Sequence, residues 1–341
     1  MKTCVIGASG YTGAELVRLI QHHPKFTLGQ TFVSEQSADA GQPLSVLYPA
    51  LNGIVNTQLE ALNDATLASL AHDYDAIFLA TPHQASHDWA SQLLAGSAKV
   101  FDLSGAFRLQ DRQVFERYYG FQHTQPHALG QAVYGLAEWY QELIAKAKFV
   151  AVPGCYPTAS LLATKPLGHA DLLDPNHFPI INATSGVSGA GRKATMTNSF
   201  CEVSLQAYGI LGHRHTPEIS AYLGSSVIFT PHLGNFKRGI LATTVCKLKY
   251  GVSADQVEAA YLNAYSSQPM VRLVAQSPRL DNVVGQNFAD LHWQYSQETG
   301  YVVITSAIDN LLKGAASQAV QCANLAFGLS TSTGLIGSQH G

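Results

Sequence analysis

The sequence predicts an α/β protein of two domains, in which a parallel, doubly wound sheet is followed by an α+β domain with a mixed, largely antiparallel sheet. In the N-terminal half, short apolar strand candidates alternate with helical stretches, which is typical of parallel sheets. After about Val152, longer β-like runs follow with few helices between them, which favours antiparallel pairing. The length of 341 residues also exceeds what one hydrophobic core usually holds.

The first domain begins with a predicted strand over 3–6, a turn and a helix. Apolar residues recur at helical spacing over 16–20, Pro24 ends the run, and we expect Thr12 to cap the helix. Further elements are predicted as strands at 28–33, 76–80 and 100–103 and a helix over 85–94. This order predicts a Rossmann-type parallel sheet, whose ligands collect at the carboxyl ends of the strands.

The second domain contains longer apolar runs of strand character. They lie at 180–184, 226–230, 240–250 and 301–308. A last helical stretch, 311–327, has apolar residues on most faces and follows a buried strand. We therefore expect this helix to be largely covered and to fold back onto the first domain.

Composition and charge limit the kind of partner. Hydrophobic residues make up 46% of the chain and charged residues 13%, a ratio that fits a folded enzyme. A net charge of −3 does not favour nucleic acid or an anionic membrane, because both require clustered Lys and Arg. The pattern predicts no signal peptide and no membrane span. Five cysteines without a CxxC pair indicate reduced thiols in the cytoplasm, so we expect a small-molecule partner.

A glycine-rich turn, GASGYTG over 7–13, lies where the first strand meets the first helix. Its glycines let the backbone approach a pyrophosphate, and the positive end of the helix favours the phosphate charge. The predicted contacts are Gly7, Ser9, Gly10, Tyr11, Thr12 and Gly13. A tight turn without a ligand is the alternative.

The end of the second strand bears on the type of dinucleotide. An acidic residue there would bind the ribose hydroxyl of NAD, whereas Ser34 and Ser37 can donate hydrogen bonds to the 2′-phosphate of NADP. Glu35 between them would oppose that phosphate, and no Arg accompanies the serines. These residues favour NADP over NAD, with ordinary turn serines as the alternative.

Cys155 is the best candidate for a nucleophile among the cysteines. It follows Pro-Gly and precedes a helix that we expect to begin near Thr158. A helix N-terminus favours the thiolate, the form of cysteine that attacks carbonyl carbon. A buried cysteine that acts only in packing is the alternative.

The run GHRHTPE over 212–218 offers a proton-transfer partner for the thiol. Histidine titrates near neutral pH, so we predict His215 as the acid/base, with Glu218 orienting it and His213 as the second candidate. A zinc site is a competing interpretation, but no further His or Cys cluster lies nearby in the sequence. Exposed loop histidines are the other alternative, and we predict no metal.

Two arginines are candidates for anion binding. Backbone amides of the small-residue loop 184–194 can form an anion cradle, to which Arg192 adds a guanidinium. Arg108 follows a predicted strand and could clamp a substrate carboxylate or phosphate. A flexible loop and a surface salt bridge are the respective alternatives. Further contacts with the dinucleotide are predicted at Thr81, Pro82 and Asn310.

Several motifs occur in one order along nearly the whole chain. They are GASGYTG, DLSGAFR, PGCYPTAS, SGAGRKA, GHRHTPEI, FTPHL and DNLLKGAASQAVQ. In this combination the sequence resembles the N-acetyl-γ-glutamyl-phosphate reductase family of arginine biosynthesis. The resemblance implies a Rossmann NADP domain formed by residues 1–154 and 310–341, and a catalytic and dimerisation domain over 155–309. It also implies a homodimer or homotetramer.

The resemblance also implies roles for individual residues. Cys155 would be the nucleophile that forms a thioester, and His215 with Glu218 would form the acid/base unit. The implied cofactor contacts add Ser185 and Gly186 to those named above. The implied substrate contacts are Arg108, Ser188, Arg192 and His213. The activity implied is an NADPH-dependent reduction of an acyl phosphate to an aldehyde.

Other functions remain open from the residues. An aspartate-semialdehyde-dehydrogenase-like or N-acetyl-aminoadipyl-phosphate reductase would use the same chemistry on a different acid. A Cys-His hydrolase would explain Cys155 and His215 but would leave the glycine-rich turn without a role. A catalytically silent binding protein would need neither side chain.

Overall fold

The computed structural model describes residues 1–337. It divides into two compact units, of which the first contains Met1–Glu116, Phe121–Gly154 and the chain from Ala315 onward. The second contains Arg117–Gly120 and Cys155–Gly314. Residues 338–341 of the predicted 310–341 segment lie outside the described residues. No helix within 1–337 is long and apolar enough to cross a membrane.

The first unit is built on a parallel sheet, which within residues 1–337 has seven strands in the order β3-β2-β1-β4-β5-β7-β6. The strands are β1 (Lys2–Ile6), β2 (Thr27–Ser34), β3 (Leu59–Leu62), β4 (Ala76–Leu79), β5 (Lys99–Asp102), β6 (Ala132–Tyr134) and β7 (Phe149–Ala151). The helices are α1 (Tyr11–Gln21), α2 (Leu44–Leu47), α3 (Asp64–Asp73), α4 (His83–Leu93), α5 (Arg112–Tyr119), α6 (Pro126–Gln131) and α7 (Gln141–Lys146). The predicted Rossmann-type parallel sheet is confirmed.

One detail of the first helix differs from the prediction. Helix α1 begins at Tyr11 with Gly10 as its N-cap, and no side chain caps it. The prediction that Thr12 is the cap was wrong, because Thr12 already lies inside the first turn. The amides of that turn therefore receive no hydrogen bond from a capping side chain.

The second unit contains a mixed sheet in the order β12-β13-β14-β11-β8-β10-β9. Its strands are β8 (Ile180–Gly186), β9 (Gln206–Ala207), β10 (Ile228–Gly234), β11 (Ile240–Lys247), β12 (Val271–Leu273), β13 (Ala289–Ser296) and β14 (Tyr301–Ile308). The pairs β8–β10 and β12–β13 are parallel, and the other pairs are antiparallel. This confirms the predicted mixed, largely antiparallel sheet.

Helices α8 (Cys155–His169), α9 (His215–Leu223) and α10 (Ala254–Tyr265) belong to this second unit. Of these three helices, only α9 and α10 lie between strands of the sheet, and α8 precedes it. Helix α8 is buried on almost every side, between the sheet and the other two helices, so its sequence carries no amphipathic period. Its central position makes it the core element from which Cys155 projects.

Helix α8 continues through a proline because a neighbouring helix supplies the missing hydrogen bond. Pro166 has no N–H for the carbonyl of Leu162, and the hydroxyl of Tyr265 on α10 donates to that oxygen at 2.7 Å. The Tyr261 hydroxyl donates to the next carbonyl, that of Ala163, also at 2.7 Å. The two tyrosines thus supply hydrogen-bond donors to buried carbonyl groups of the helix.

Substitution of Tyr265 tests the contribution of its hydrogen bond to the Leu162 carbonyl. Tyr265→Phe is expected to destabilise the protein by about 1–3 kcal/mol, because the buried Leu162 carbonyl would lose its donor. The measurement is the midpoint of urea unfolding, with Tyr250→Phe as control because the Tyr250 side chain is fully exposed. Equal midpoints for the two variants would show that the hydroxyl is not needed.

After β14 the chain forms a π-helical turn, Leu312–Ala316, and then α11 (Ser317–Ala326). In the first unit α11 packs against α1, α7 and β5. The Gln318 amide donates to the carbonyl of Gly135 at 2.8 Å, and the Gln321 amide to the Glu138 carboxylate at 3.0 Å. The predicted last helix is therefore present and buried, with a π turn at its beginning.

Candidate active site

Cys155 is the first residue of α8, three positions earlier than the sequence predicted. Pro157 explains the difference, because proline is accepted in the first turn of a helix, where its missing N–H costs no hydrogen bond. The thiol therefore sits directly at the positive end of a 15-residue helix. This is the position at which a thiolate is favoured.

The other cysteines have environments unlike that of Cys155, which is partly exposed. Cys4, Cys246 and Cys322 are buried. Burial raises the pKa of Cys4 well above its usual range and that of Cys246 to about 12, so both stay neutral thiols. Cys201 is exposed but lies outside any helix. Among the described cysteines, only Cys155 is partly exposed and lies at the N-terminus of a helix.

A glycine of the π turn approaches the nucleophile closely. A Cβ added to Gly314 would lie 2.8 Å from the Cβ of Cys155 and 3.2 Å from its Cα. The Gly314 amide donates to the carbonyl of Asp309 at 2.9 Å, which sets this turn. This contact between distant segments was not predicted from the sequence.

His215 is the first residue of α9, and Glu218 follows it in the same turn. His215 is 5% exposed and Glu218 is fully buried. The backbone amide of His215 donates to Nδ1 of His213 at 3.1 Å. His213 therefore carries any single proton on Nε2, and its ring holds the beginning of α9.

The pKa of His213 limits its capacity for proton transfer. Burial, and next the positive charge of Arg214, lower the pKa of His213 to about 4. At neutral pH little His213 is charged, so this ring is a poor general acid. The role of His215 as the acid/base stays a prediction.

Tyr156, the residue after the nucleophile, contacts both histidines of the candidate site. Its ring packs edge-on against His213 and His215, with centroid distances of 5.7 and 5.9 Å. The N-termini of α8 and α9 therefore meet within the second unit. The thiol and the histidines, predicted from segments 60 residues apart in the sequence, lie in one neighbourhood.

The loop after β8 is fixed by Asn310. The Asn310 amide donates to the Ser188 hydroxyl at 3.0 Å, and its oxygen accepts from the Gly239 amide at 2.7 Å. A Cβ on Gly186 would lie 2.6 Å from the Arg238 amide, so that position requires glycine. The direct contact between Asn310 and a nicotinamide stays a prediction, as do the cofactor contacts of Ser185 and Gly186.

Asp309, which the sequence analysis did not single out, organises the same region. Its carboxylate is fully buried and accepts from Arg238 at 2.6 Å and from the Gly285 amide at 2.7 Å. The other oxygen accepts from the amides of Leu311 and Leu312 at 2.8 and 3.1 Å. These bonds set the beginning of the π turn that carries Gly314.

In the first unit the glycine-rich turn is closely packed. Gly7 has a φ of 85°, and a Cβ there would lie 2.2 Å from the carbonyl oxygen of Ala80. A Cβ on Gly13 would lie 2.2 Å from the Gly7 oxygen. The Tyr48 hydroxyl donates to the carbonyl of Ser9 at 2.8 Å and supports the turn from a segment that the sequence analysis did not include. This bare backbone at a helix N-terminus fits a pyrophosphate.

The remaining cofactor candidates lie at or after the carboxyl ends of β2 and β4. Strand β2 ends on the exposed Ser34, so no carboxylate stands at its last position, which fits NADP better than NAD. The Ser37 hydroxyl accepts from the Asp39 amide at 3.2 Å. Thr81 shares a hydrogen bond of 2.7 Å with Ser86, and Pro82 is the N-cap of α4.

Arg108 and Arg192 are placed differently from each other. The Arg108 side chain is buried and donates to the carbonyls of Val152 and Leu103 at 2.8 and 2.7 Å. These bonds fix the position of the side chain, and its predicted contact with the substrate stays a prediction. Arg192 is exposed on the loop after β8. Within residues 1–337 no group of three or more His, Cys, Asp or Glu side chains could hold a metal ion.

Comparison with known proteins agrees with this architecture. Residues 2–147 match the semialdehyde dehydrogenase NAD binding domain and residues 155–310 the semialdehyde dehydrogenase dimerisation domain. Among solved structures, aspartate semialdehyde dehydrogenase II from Vibrio cholerae has a TM-score of 0.72 at 17% identity, covering 96% of this chain and 98% of that one. At this identity the likeness shows the fold alone.

Relatives at much higher identity are named N-acetyl-gamma-glutamyl-phosphate reductase. The Pseudoalteromonas atlantica protein is 61% identical over 98% of each chain, and the Alteromonas mediterranea protein 59% over 97% of this chain and 98% of its own. The protein of Escherichia coli O6:H1 is 54% identical over 98% of this chain and 100% of its own. The resemblance seen in the sequence motifs is confirmed, and the chain belongs to the N-acetyl-γ-glutamyl-phosphate reductase family.

Proposed function

We propose that this protein catalyses the NADPH-dependent reduction of N-acetyl-γ-glutamyl phosphate to N-acetylglutamate 5-semialdehyde, with release of phosphate, in arginine biosynthesis. The observation that carries the proposal is the position of Cys155 at the N-terminus of α8, beside the histidines of α9. Relatives that cover almost the whole chain carry the name of this activity.

The thiolate of Cys155 attacks the acyl carbon of the substrate. A C–S bond forms, the C–O bond to phosphate breaks, and phosphate leaves, so that a thioester on Cys155 remains. When bound, NADPH supplies the hydride that reduces this thioester. His215 protonates the oxygen of the thiohemiacetal so formed and then accepts that proton as the C–S bond breaks. The aldehyde leaves and the thiolate of Cys155 is restored.

The residues fit NADP in the first unit and an acyl phosphate in the second. The bare turn at the beginning of α1 would hold the pyrophosphate, and Ser34 and Ser37 would contact the 2′-phosphate. Ser188, His213 and the exposed Arg192 are the proposed substrate contacts. The described cysteines form no disulfide bond, which suits a reducing cytoplasm, where we place the reaction.

The test is phosphate-dependent reduction of NADP by the purified protein, followed at 340 nm. We expect turnover with N-acetylglutamate semialdehyde, little with aspartate semialdehyde or the N-acetyl-aminoadipate analogue, and tighter binding of NADP than of NAD in calorimetry. Preference for either other aldehyde would reassign the substrate. Hydrolysis of an ester or amide by a protein that binds neither dinucleotide would instead indicate a Cys-His hydrolase.

We also propose a homo-oligomer, homodimer or homotetramer, assembled through the open face of the second sheet. Ile228, Ile180, Val245 and Val303 are direct cross-strand neighbours along four strands, so their side chains form one apolar row on that face. In the single chain the row is partly exposed, with Ile180 at 40%. Helix α8 covers the opposite face, and the domain that residues 155–310 match is named for dimerisation.

A charge in this row is expected to break the assembly. Ile180→Glu would bury a carboxylate against its copy or against apolar surface, which costs several kcal/mol unless the subunits separate. Sedimentation is expected to give the monomer mass for this variant and a multiple of it for the wild type. Leu143→Glu, at an exposed apolar position of α7, is the control and keeps the wild-type mass. A wild-type mass for Ile180→Glu would exclude this face as the interface.

A further inference from the structure

His213 is the centre of an aromatic cluster in the second unit. Its ring packs edge-on against Tyr156, Tyr208, His215 and Phe229, with centroid distances of 5.7, 5.4, 4.8 and 5.5 Å. Tyr156 also packs on Phe229 at 5.3 Å. The position of the His213 ring is therefore set by four aromatic neighbours.

A directed chain of hydroxyl groups joins the two tyrosines of this cluster. The Tyr156 hydroxyl donates to the carbonyl of His232 at 3.1 Å, which uses its single proton. The Tyr208 hydroxyl must then be the donor to Tyr156, and the distance between the oxygens is 3.2 Å. Burial raises the pKa of both phenols, so both protons are retained. The charge that Cys155 can carry adds to this rise.

Tyr208 is the outer member of the cluster. It is 38% exposed, whereas Tyr156 is 2% and His215 is 5% exposed. Its amide donates to the carbonyl of Pro231 at 3.0 Å, directly after β9 pairs with β10. The backbone of Tyr208 is thus anchored to the sheet, while its ring covers the solvent side of His213.

We propose that Tyr208 is a positioning residue of the active site: it holds the His213 ring against Tyr156, and Nδ1 of His213 in turn holds the backbone amide of His215. Tyr208 itself transfers no proton in this arrangement. It acts on the reaction through His213, which keeps the first turn of α9 and the acid/base side chain in place. This inference rests on the proposed function for its kinetic consequence but not for its structural one.

The structural consequence can be measured without any substrate. In the wild type, burial lowers the pKa of His213 to about 4, and Arg214 contributes with its charge. Tyr208→Ala opens the ring to water while leaving Arg214 in place, so the pKa of His213 is expected to rise toward its ordinary value of 6.5. Tyr208→Phe keeps an aromatic ring over His213, so it is expected to raise the pKa of His213 less than Tyr208→Ala does. The measurement is an NMR titration of the histidine rings, assigned with His213→Ala.

The kinetic consequence is tested by a double-mutant cycle. Tyr208→Ala is expected to lower kcat about tenfold with little change in KM, because a displaced acid/base loses alignment. Since Tyr208 acts through His213, the double variant Tyr208→Ala/His213→Ala is expected to be no slower than His213→Ala alone. Tyr250→Ala, at a fully exposed side chain of the same unit, is the control.

The outcomes separate this inference from the proposed function. A pKa of His213 that stays at about 4 in Tyr208→Ala overturns the inference, whatever the enzyme's activity. The inference is also overturned if the kcat of the double variant falls by the product of the two single losses, because Tyr208 and His213 would then act independently. Slower alkylation of Cys155 by iodoacetamide in Tyr208→Ala would show that Tyr208 acts on the thiol instead. An inactive wild type whose His213 pKa responds as expected would refute the proposed function and leave the positioning role standing.

Discussion

Cys155→Ser is expected to lower kcat by about 10³-fold or more while leaving the affinity for NADP unchanged. A serine hydroxyl is almost entirely neutral near pH 7, and the N-terminus of α8 cannot ionise it as it can a thiol. Without a thiolate no thioester forms, so neither phosphate release nor hydride transfer can follow. Turnover is measured by phosphate-dependent reduction of NADP, and affinity by calorimetry.

The intermediate itself gives a second measurement. Incubation of the wild type with the acyl phosphate in the absence of NADPH is expected to release about one phosphate per active site and to leave an acyl group on the peptide that contains Cys155. Cys201→Ser removes an exposed thiol and serves as the control, with unchanged turnover. Acylation at another residue, or full turnover of Cys155→Ser, would refute the covalent mechanism.

The first domain could be predicted in outline because its strands are buried on both faces. Strands β4 and β5 are nearly continuous apolar runs between helices, and such runs are visible in one sequence. Strands β6 and β7 have three residues each, too few for a recognisable pattern. In the second domain α8 was predicted only by its beginning near Thr158, since a helix apolar on most faces has no period from which its length can be read.

The candidate site could be predicted where a local motif carries the chemistry. Cys155 precedes a helix-start signal and His215 lies in the run GHRHTPE, so each could be found from a few neighbouring residues. Contacts between distant segments could not be predicted in this way. Tyr208 meets Tyr156 across 52 residues, and Asp309 meets Arg238 across 71. Such pairings exist only after the sheet has formed, so no window of the sequence contains them.

Gly314→Ala is expected to lower kcat about 100-fold, because a misplacement of the reacting group by about 1 Å can cost that much. The new methyl group would begin 2.8 Å from the Cβ of Cys155 and 3.2 Å from Cδ1 of Ile308. Asp309 holds the π turn through the amides of Leu311 and Leu312, so the turn cannot easily withdraw. We therefore expect the nucleophile to be displaced.

Gly130→Ala separates this effect from the general cost of replacing a helical glycine. Gly130 lies in α6 with nothing within 4 Å of an added Cβ, so the control should keep full activity. Because both variants exchange glycine for alanine, a loss confined to Gly314→Ala must come from the contact with Cys155. Iodoacetamide is expected to alkylate Cys155 at a changed rate in Gly314→Ala, with NADP binding retained. Equal kcat for the two variants would mean that the π turn yields without moving the thiol, and the close contact would then play no part in placing the nucleophile.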